Sequence, residues 1–295
     1  MEGQLVGAND VVERQLDESL AGLESMMGAA VLAFSGPLYH GIDEMVREAA
    51  EKCCPTPKKA KLVCLLETDG GYVQPVERIV GVFRRHFRQL EFVVPNFAMS
   101  AGTILVMSGD AVHMDYFSVL GPIDPQVRRG NRLVPANGYL SRYNDLIEKS
   151  REGTLTDAEL TYLLSNFDPG EMYTFEQEAE LARSLLVDWL ASSKLIDWGA
   201  VKGSRSRLTR KMRLEKAREV ADCLGDADRW HSHARGISIE ILRRDIGLAV
   251  QDFGESEDLS QAIRSYYTLL RDYMARLRRG VVVHVRGYYR SWRLK

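Results

Sequence analysis

Val93-Val94-Pro95-Asn96-Phe97-Ala98-Met99-Ser100-Ala101-Gly102-Thr103 is the stretch where an apolar strand stops and an apolar helix starts, with a serine at the junction. A serine there carries its hydroxyl at the strand's carboxyl end. The backbone N–H groups of the following first helical turn are unpaired within the helix and point toward whatever the serine attacks. Small residues at Ala98, Ala101 and Gly102 permit a tight turn and close helix packing, as in a strand-to-helix nucleophile elbow, with Ala98 standing where such elbows carry their first glycine. The plainer alternative is that Ser100 only caps a buried helix.

Upstream, Lys61-Leu62-Val63-Cys64-Leu65-Leu66-Glu67 reads as a buried strand running into Thr68-Asp69-Gly70-Gly71-Tyr72-Val73. Two glycines between a parallel strand and a helix let bare N–H groups face a ligand, as an oxyanion hole requires, although a glycine pair also serves as a simple turn. Downstream, Ala111-Val112-His113-Met114-Asp115 is a short strand, followed by Tyr116-Phe117-Ser118-Val119-Leu120-Gly121-Pro122-Ile123-Asp124-Pro125-Gln126. Strand, glycine pair, strand, serine, helix, strand and Gly-Pro turn therefore arrive in order.

The chain has 295 residues, 45% of them hydrophobic, which is enough for one sizeable α/β domain with additions. A net charge of -2 gives no global attraction to nucleic acid or membrane. The cysteines Cys53, Cys54, Cys64 and Cys223 show no C-x-x-C spacing, so neither a zinc site nor a disulfide framework is expected, and no cofactor is called for. Residues 1–24 carry Glu2, Asp10, Glu13, Arg14, Asp17 and Glu18 without a continuous apolar run, so a soluble, cytoplasmic protein is expected.

Residues 1–28 read as a polar, partly helical arm with a thin stripe of Val11, Leu16, Leu20 and Leu23. A buried strand over 29–34, a helix over 41–52, an exposed loop at 55–59 and an amphipathic helix over 76–88 follow. Strands alternating with helices at this spacing imply parallel βαβ units with helices on the sheet faces. Further helices are predicted over 139–153, from the Thr156 region, over 174–192 and over 208–224, with a break at Asp168-Pro169-Gly170 and a basic loop at 202–207. This helical half reads as decoration over the cleft. Residues 258–279 read as a helix. Residues 280–293 mix a β-run with arginines and aromatics, which suits an arginine-rich edge strand or a subunit arm better than a nucleic-acid surface.

The chain resembles the serine dehydrogenase proteinases, relatives of the signal peptide peptidases and of the Clp protease and crotonase fold. The resemblance is carried by Glu67-Thr68-Asp69-Gly70-Gly71, Ala98-Met99-Ser100-Ala101-Gly102-Thr103 and Leu120-Gly121-Pro122-Ile123-Asp124-Pro125-Gln126. It resumes in Trp230-His231-Ser232-His233-Ala234-Arg235-Gly236-Ile237-Ser238 and Asp245-Ile246-Gly247-Leu248. It implies an α/β fold of repeated ββα units around a parallel sheet, with a peptidase domain over 29–250 between the 1–28 arm and a helical, basic arm over 251–295. It further implies peptide-bond hydrolysis with Ser100 as nucleophile, and Gly70, Gly71 and Ala101 as oxyanion donors.

The proton acceptor stays open between two residues. Clp proteases place a histidine in the turn that matches Gly121 to Gln126, where this chain has Asp124, a residue suited to orienting a base or positioning substrate. Signal peptide peptidases use a lysine further on, and Lys149 lies at a comparable separation from Ser100. A buried lysine with a lowered pKa can act as base. The rival is His233, in the closing segment, with the right intrinsic pKa. We take Lys149 first, because the lysine-dependent peptidases also lack the Clp histidine; His113 reads as structural. A peptide or protein substrate and a homo-oligomer are expected, with no membrane partner. The competing classes are a crotonase-type acyl-thioester enzyme, which needs no serine, and a non-catalytic oligomeric scaffold.

Overall fold

The structure, a computed structural model, describes residues 7–53, 61–123, 126–129, 132–192 and 209–293. Asp124, Cys54, the expected loops at 55–59 and 202–207, and the first six residues of the expected N-terminal arm lie outside the described residues.

Five parallel strands form most of a seven-stranded sheet: β1 (Ala30–Ser35), β2 (Lys61–Glu67), β3 (Gln89–Val93), β5 (Ala111–Met114) and β10 (Val250–Asp252). Their order runs β10-β5-β3-β2-β1 and is completed by an antiparallel pair, β11 (Val281–Val285) beside β1 and β12 (Tyr288–Trp292) at the edge. A second, three-stranded ribbon joins β4 (Phe97–Ala98), β6 (Val119–Leu120) and β9 (Ile237–Ser238). A hairpin, β7 (Gln126–Arg129) with β8 (Arg132–Pro135), stands apart.

The central strands are continuous apolar runs because both faces are covered. Along β1, Val31 and Ala33 face one cluster while Leu32 and Phe34 face the other. The first cluster is closed by Leu16, Leu20 and Leu23 of α1 (Ala8–Met27) and by Ile263, Tyr266 and Leu270 of the Glu257–Leu277 helix. The opposite face is covered by α2 (Ile42–Cys53), α3 (Val73–His86), α4 (Ala101–Met107), α7 (Pro169–Ser192) and the Arg210–Gly225 helix. Along the chain α5 (Ala136–Arg151) and α6 (Asp157–Asn166) come between α4 and α7, and α5 packs on both α6 and α7. Among the described residues no helix is long and apolar enough to cross a membrane.

The described residues of both terminal segments pack on the chain's own sheet. The 16, 20, 23 stripe of α1 has the helical spacing that fits a neighbouring helix, and it packs on Glu257–Leu277 over the sheet. The Val281–Val285 run is buried throughout because it supplies the hydrogen-bonding partner that β1 lacks on that side. The basic edge is β12 and its flanks, where Arg286, Arg290 and Arg293 are exposed. Helix boundaries moved where a cap decided them. Asp168 accepts the N–H groups of Gly170 and Glu171 and Pro169 sits at the first helical position, so the expected break is the start of α7. The outward arginines of α3 are partly ion-paired: Arg84 lies 2.7 Å from Asp110 and Arg78 2.6 Å from the buried Asp43.

Candidate active site

The parallel strands end at one edge of the sheet, and Ser100, Gly70 and Gly71 meet there. Thr68, just past β2, forms a parallel bridge with Ala98, its N–H reaching Phe97 O at 3.2 Å and its carbonyl accepting Met99 N–H at 2.9 Å. The extension of β2 therefore runs alongside the segment that enters Ser100. Ser100 holds φ 53° and ψ -119°, a region that a side chain disfavours, and α4 begins at the next residue. Its hydroxyl makes no capping bond to the helix, so the plain cap role is not the one it plays.

Tight packing forces this geometry. A Cβ on Gly102 would meet Thr68 Cγ2 at 2.3 Å, so the first turn of α4 sits directly against the end of β2. Gly121 packs on Met99, where an added Cβ would lie 2.8 Å from its methyl carbon. The buried Thr103 hydroxyl lies 2.8 Å from the carbonyls of both Ala98 and Gly121 and accepts the Gly121 N–H at 3.0 Å. One threonine thus fastens the Gly-Pro turn to the serine elbow.

The glycine pair lies beside the serine. Gly70 has φ 95°, and a Cβ on it would come 2.9 Å from Ser100 Cβ and 2.6 Å from Met99 O. Its N–H is held by Thr68 Oγ1 at 3.0 Å. The Gly70 carbonyl accepts Leu38 N–H at 2.8 Å and Tyr72 N–H donates to Leu38 O at 2.9 Å. Strand alternation then turns the Gly71 N–H away from Leu38, to the side where Met99 and Ser100 lie. Among the described residues neither this N–H nor that of Ala101 has an acceptor. Two open donors, Gly71 and Ala101, flank Ser100, while Gly70 supplies the conformation that brings them together.

Beneath the elbow, two buried carboxylates at strand ends are held by one face of the Glu257–Leu277 helix. Glu67 accepts from Asn96 at 3.1 Å, from Ser35 at 3.3 Å and from Tyr267, and pairs with Arg271 at 2.8 Å. Burial, with Glu67 beside it, pushes the Tyr267 phenol up to about 12. Asp115 accepts from Ser118 at 2.9 Å and pairs with Arg264, which also donates to Pro95 O. The helix therefore grips Pro95 and Asn96, the residues leading into β4. Sequence reading missed this clamp. Its only trace was the spacing of Arg264, Tyr267 and Arg271, which reads equally well as a solvated helix face.

The candidate bases separate. Lys149 on α5 is a partly exposed amine, its Nζ 2.6 Å from Glu159 Oε1 on α6, and this bond heads the causes that hold the Glu159 carboxyl down to about 2. It is not the buried lysine expected. α5 packs on α6 and α7, whereas α4 packs on α3 and α7. His233 is half-buried in the segment leading into β9. β6 runs parallel to β4 and β9 runs antiparallel to β6, so Arg235 and Gly236 enter from the end of the ribbon where Ser100 lies. A Cβ on Gly236 would touch Val119 at 2.8 Å, confirming the close approach of that segment. His113 is structural, 2.9 Å from Glu91, whose carboxyl is held below its usual range first by that bond.

Three comparisons bear on the chain. Residues 30–158 match the family model of the ClpP-like SDH-type serine proteinases, a stretch that includes Ser100, both glycines and Lys149 but not His233. Two uncharacterized proteins of Methanocaldococcus jannaschii are similar. One is 30% identical over 126 residues, 42% of this chain and 42% of that protein. The other is 33% identical over 95 residues, 32% of this chain and 33% of its own length. The chain thus spans well under half the length of these relatives. Among solved structures, ClpP1 from Listeria monocytogenes aligns over 81% of this chain and 94% of its own, with 9% identity and a TM-score of 0.41.

Proposed function

We propose, from the match of residues 30–158 to ClpP-like SDH-type serine proteinases, that the protein is a serine peptidase acting through an acyl-enzyme on Ser100. The observation that carries this reading is the backbone of Ser100. A serine at φ 53° that does not cap its helix holds a disfavoured conformation, which is what displaying a nucleophile requires. In this reading the hydroxyl attacks the scissile carbonyl, its proton passing to a base. The N–H groups of Gly71 and Ala101 stabilise the oxygen that becomes negative.

His233 is better supported as the base than Lys149, since its segment enters the ribbon at the Ser100 end and Lys149 is engaged by Glu159. Asp124 keeps its proposed role in positioning substrate. The terminal helices lend homo-oligomer formation no support, since they cover the sheet of their own chain. Its support is now α6, which buries no residue and leaves Leu160, Tyr162 and Leu164 exposed. The cytoplasmic assignment stays a proposal resting on composition.

The test is a fluorophosphonate label, which reacts with an activated serine and not with a crotonase-type site. Labelling and peptide or ester hydrolysis should vanish in Ser100→Ala. Gly71→Ala, which would drive a Cβ to 2.5 Å from Leu38 O, should lower turnover by about a hundredfold to a thousandfold. His233→Ala should abolish turnover and Lys149→Met should retain it. Absence of labelling in the wild-type protein would leave the crotonase-type enzyme or the non-catalytic scaffold as the better account.

A further inference from the structure

The Ser100 edge carries a feature that neither the elbow nor the clamp uses. Tyr39 and Tyr72 are each 50% exposed, their ring centroids 6.0 Å apart at 52°, and the exposed His40 ring stacks on Tyr72 at 4.7 Å and 21°. The tip of the Trp292 indole is adjacent, since a Cβ on Gly41 would lie 3.5 Å from its Cη2 atom. Aromatic rings left open in a group mark a contact surface more often than rings exposed singly.

These rings stand on fixed backbone. Leu38, fully buried, precedes Tyr39 and pairs on both sides of Gly71, and Tyr72 donates its N–H to Leu38 O. Tyr72 directly follows the open Gly71 donor. Two residues of extended chain span at most about 7 Å, so Tyr72 Cα lies within that distance of Gly70, whose Cα abuts Ser100. A substrate carbonyl seated on the Gly71 N–H therefore lies one residue from Tyr72, on whose ring Tyr39 and His40 pack. Rings already held in place lose little freedom when they bind. A tilted pair at this separation suits a third ring presented edge-on.

We propose that Tyr39, His40 and Tyr72 form a subsite beside the Gly71 donor that takes a large apolar side chain of the peptide substrate, aromatic in preference to aliphatic. This rests on the Ser100 peptidase reading. The experiment separates the two by measuring binding without turnover. Ser100→Ala protein is titrated calorimetrically with two blocked hexapeptides of alanine, one carrying a single phenylalanine near its middle. The phenylalanine peptide should bind about tenfold tighter or more, the discrimination that apolar pockets commonly reach. Adding Tyr39→Ala and Tyr72→Ala together should erase that preference, and Tyr72→Phe should keep it. Equal affinity for the two peptides, or a preference that survives the double substitution, overturns the subsite. Failure of wild-type Ser100 to take the fluorophosphonate label overturns the peptidase reading instead, and the two results are read in separate measurements.

Discussion

Gly102 has no room for a side chain, because the methyl of Thr68 already occupies the place where a Cβ would go. Thr68 cannot simply turn aside, since it is buried and its hydroxyl holds the Gly70 N–H. Gly102→Ala should therefore destabilise the fold by about 1–3 kcal/mol, as overpacking does, and slow fluorophosphonate labelling of Ser100 at temperatures where the protein remains folded. Denaturant unfolding and labelling rates check the two effects. Wild-type labelling in a protein of lowered stability would show that the elbow does not depend on this contact. At this scale the sequence was informative where chemistry is local. Ser100 between strand and helix and the paired glycines were readable from residue type and order. The division of labour was not: nothing in the letters says that Thr68 takes the Gly70 N–H, or that Lys149 meets Glu159 across two helices. The first is a local side-chain-to-backbone bond and the second joins neighbouring helices, and neither follows from periodicity.

Among the elements, the Glu257–Leu277 helix shows how one periodic pattern can conceal two functions. Its apolar residues Ile263, Tyr266 and Leu270 were legible as a packing stripe, and they do pack on the sheet. Its polar side carries a second role, as Arg264, Tyr267 and Arg271 reach the buried Asp115 and Glu67. The same helix meets α1 and β11 through a buried relay. His284 Nδ1 lies 2.7 Å from Tyr266 OH and its Nε2 3.0 Å from Asp17, with Tyr289 packed nearby. Burial lowers the His284 pKa despite the opposing pull of Asp17. A histidine that is harder to protonate when folded makes the unfolded chain the better proton binder below its ordinary value of about 6.5. Stability should thus fall as pH drops through about 6.5 toward the lower folded-state value. Denaturant midpoints measured across that window test this, and His284→Gln should flatten the slope. An unchanged slope in that variant would assign the pH dependence to other groups.

For the whole molecule, β1, β2, β3 and β5 of the parallel core were legible because they and their crossover helices are neighbours in sequence, whereas β10 joins β5 from far along the chain and was not. Closure of the sheet was not, because β1 pairs Ala33 with His284 and no local pattern announces so distant a partner. The same limit hid the terminal helices, which looked like arms because their cover lies at the other end of the chain. Assembly of copies should run through α6. With Leu164 75% exposed and Leu160 beside it, Leu160→Glu and Leu164→Glu together should dissociate the oligomer with the fold intact, as sedimentation velocity would report. A wild-type monomer at micromolar concentration would end this reading. The clamp on Pro95 and Asn96 bears on the order in which the protein is made. Ribosomes deliver the N-terminal part first, so Ser100 and its glycines emerge long before Arg264, Tyr267 and Arg271. Until those residues follow, Glu67 and Asp115 lack their cations, and Pro95 and Asn96 lack the side chains that clamp them. A nascent chain thus presents Ser100 before its clamp exists, and on the proposed peptidase reading activity should appear only after residues 264–271 have emerged and docked.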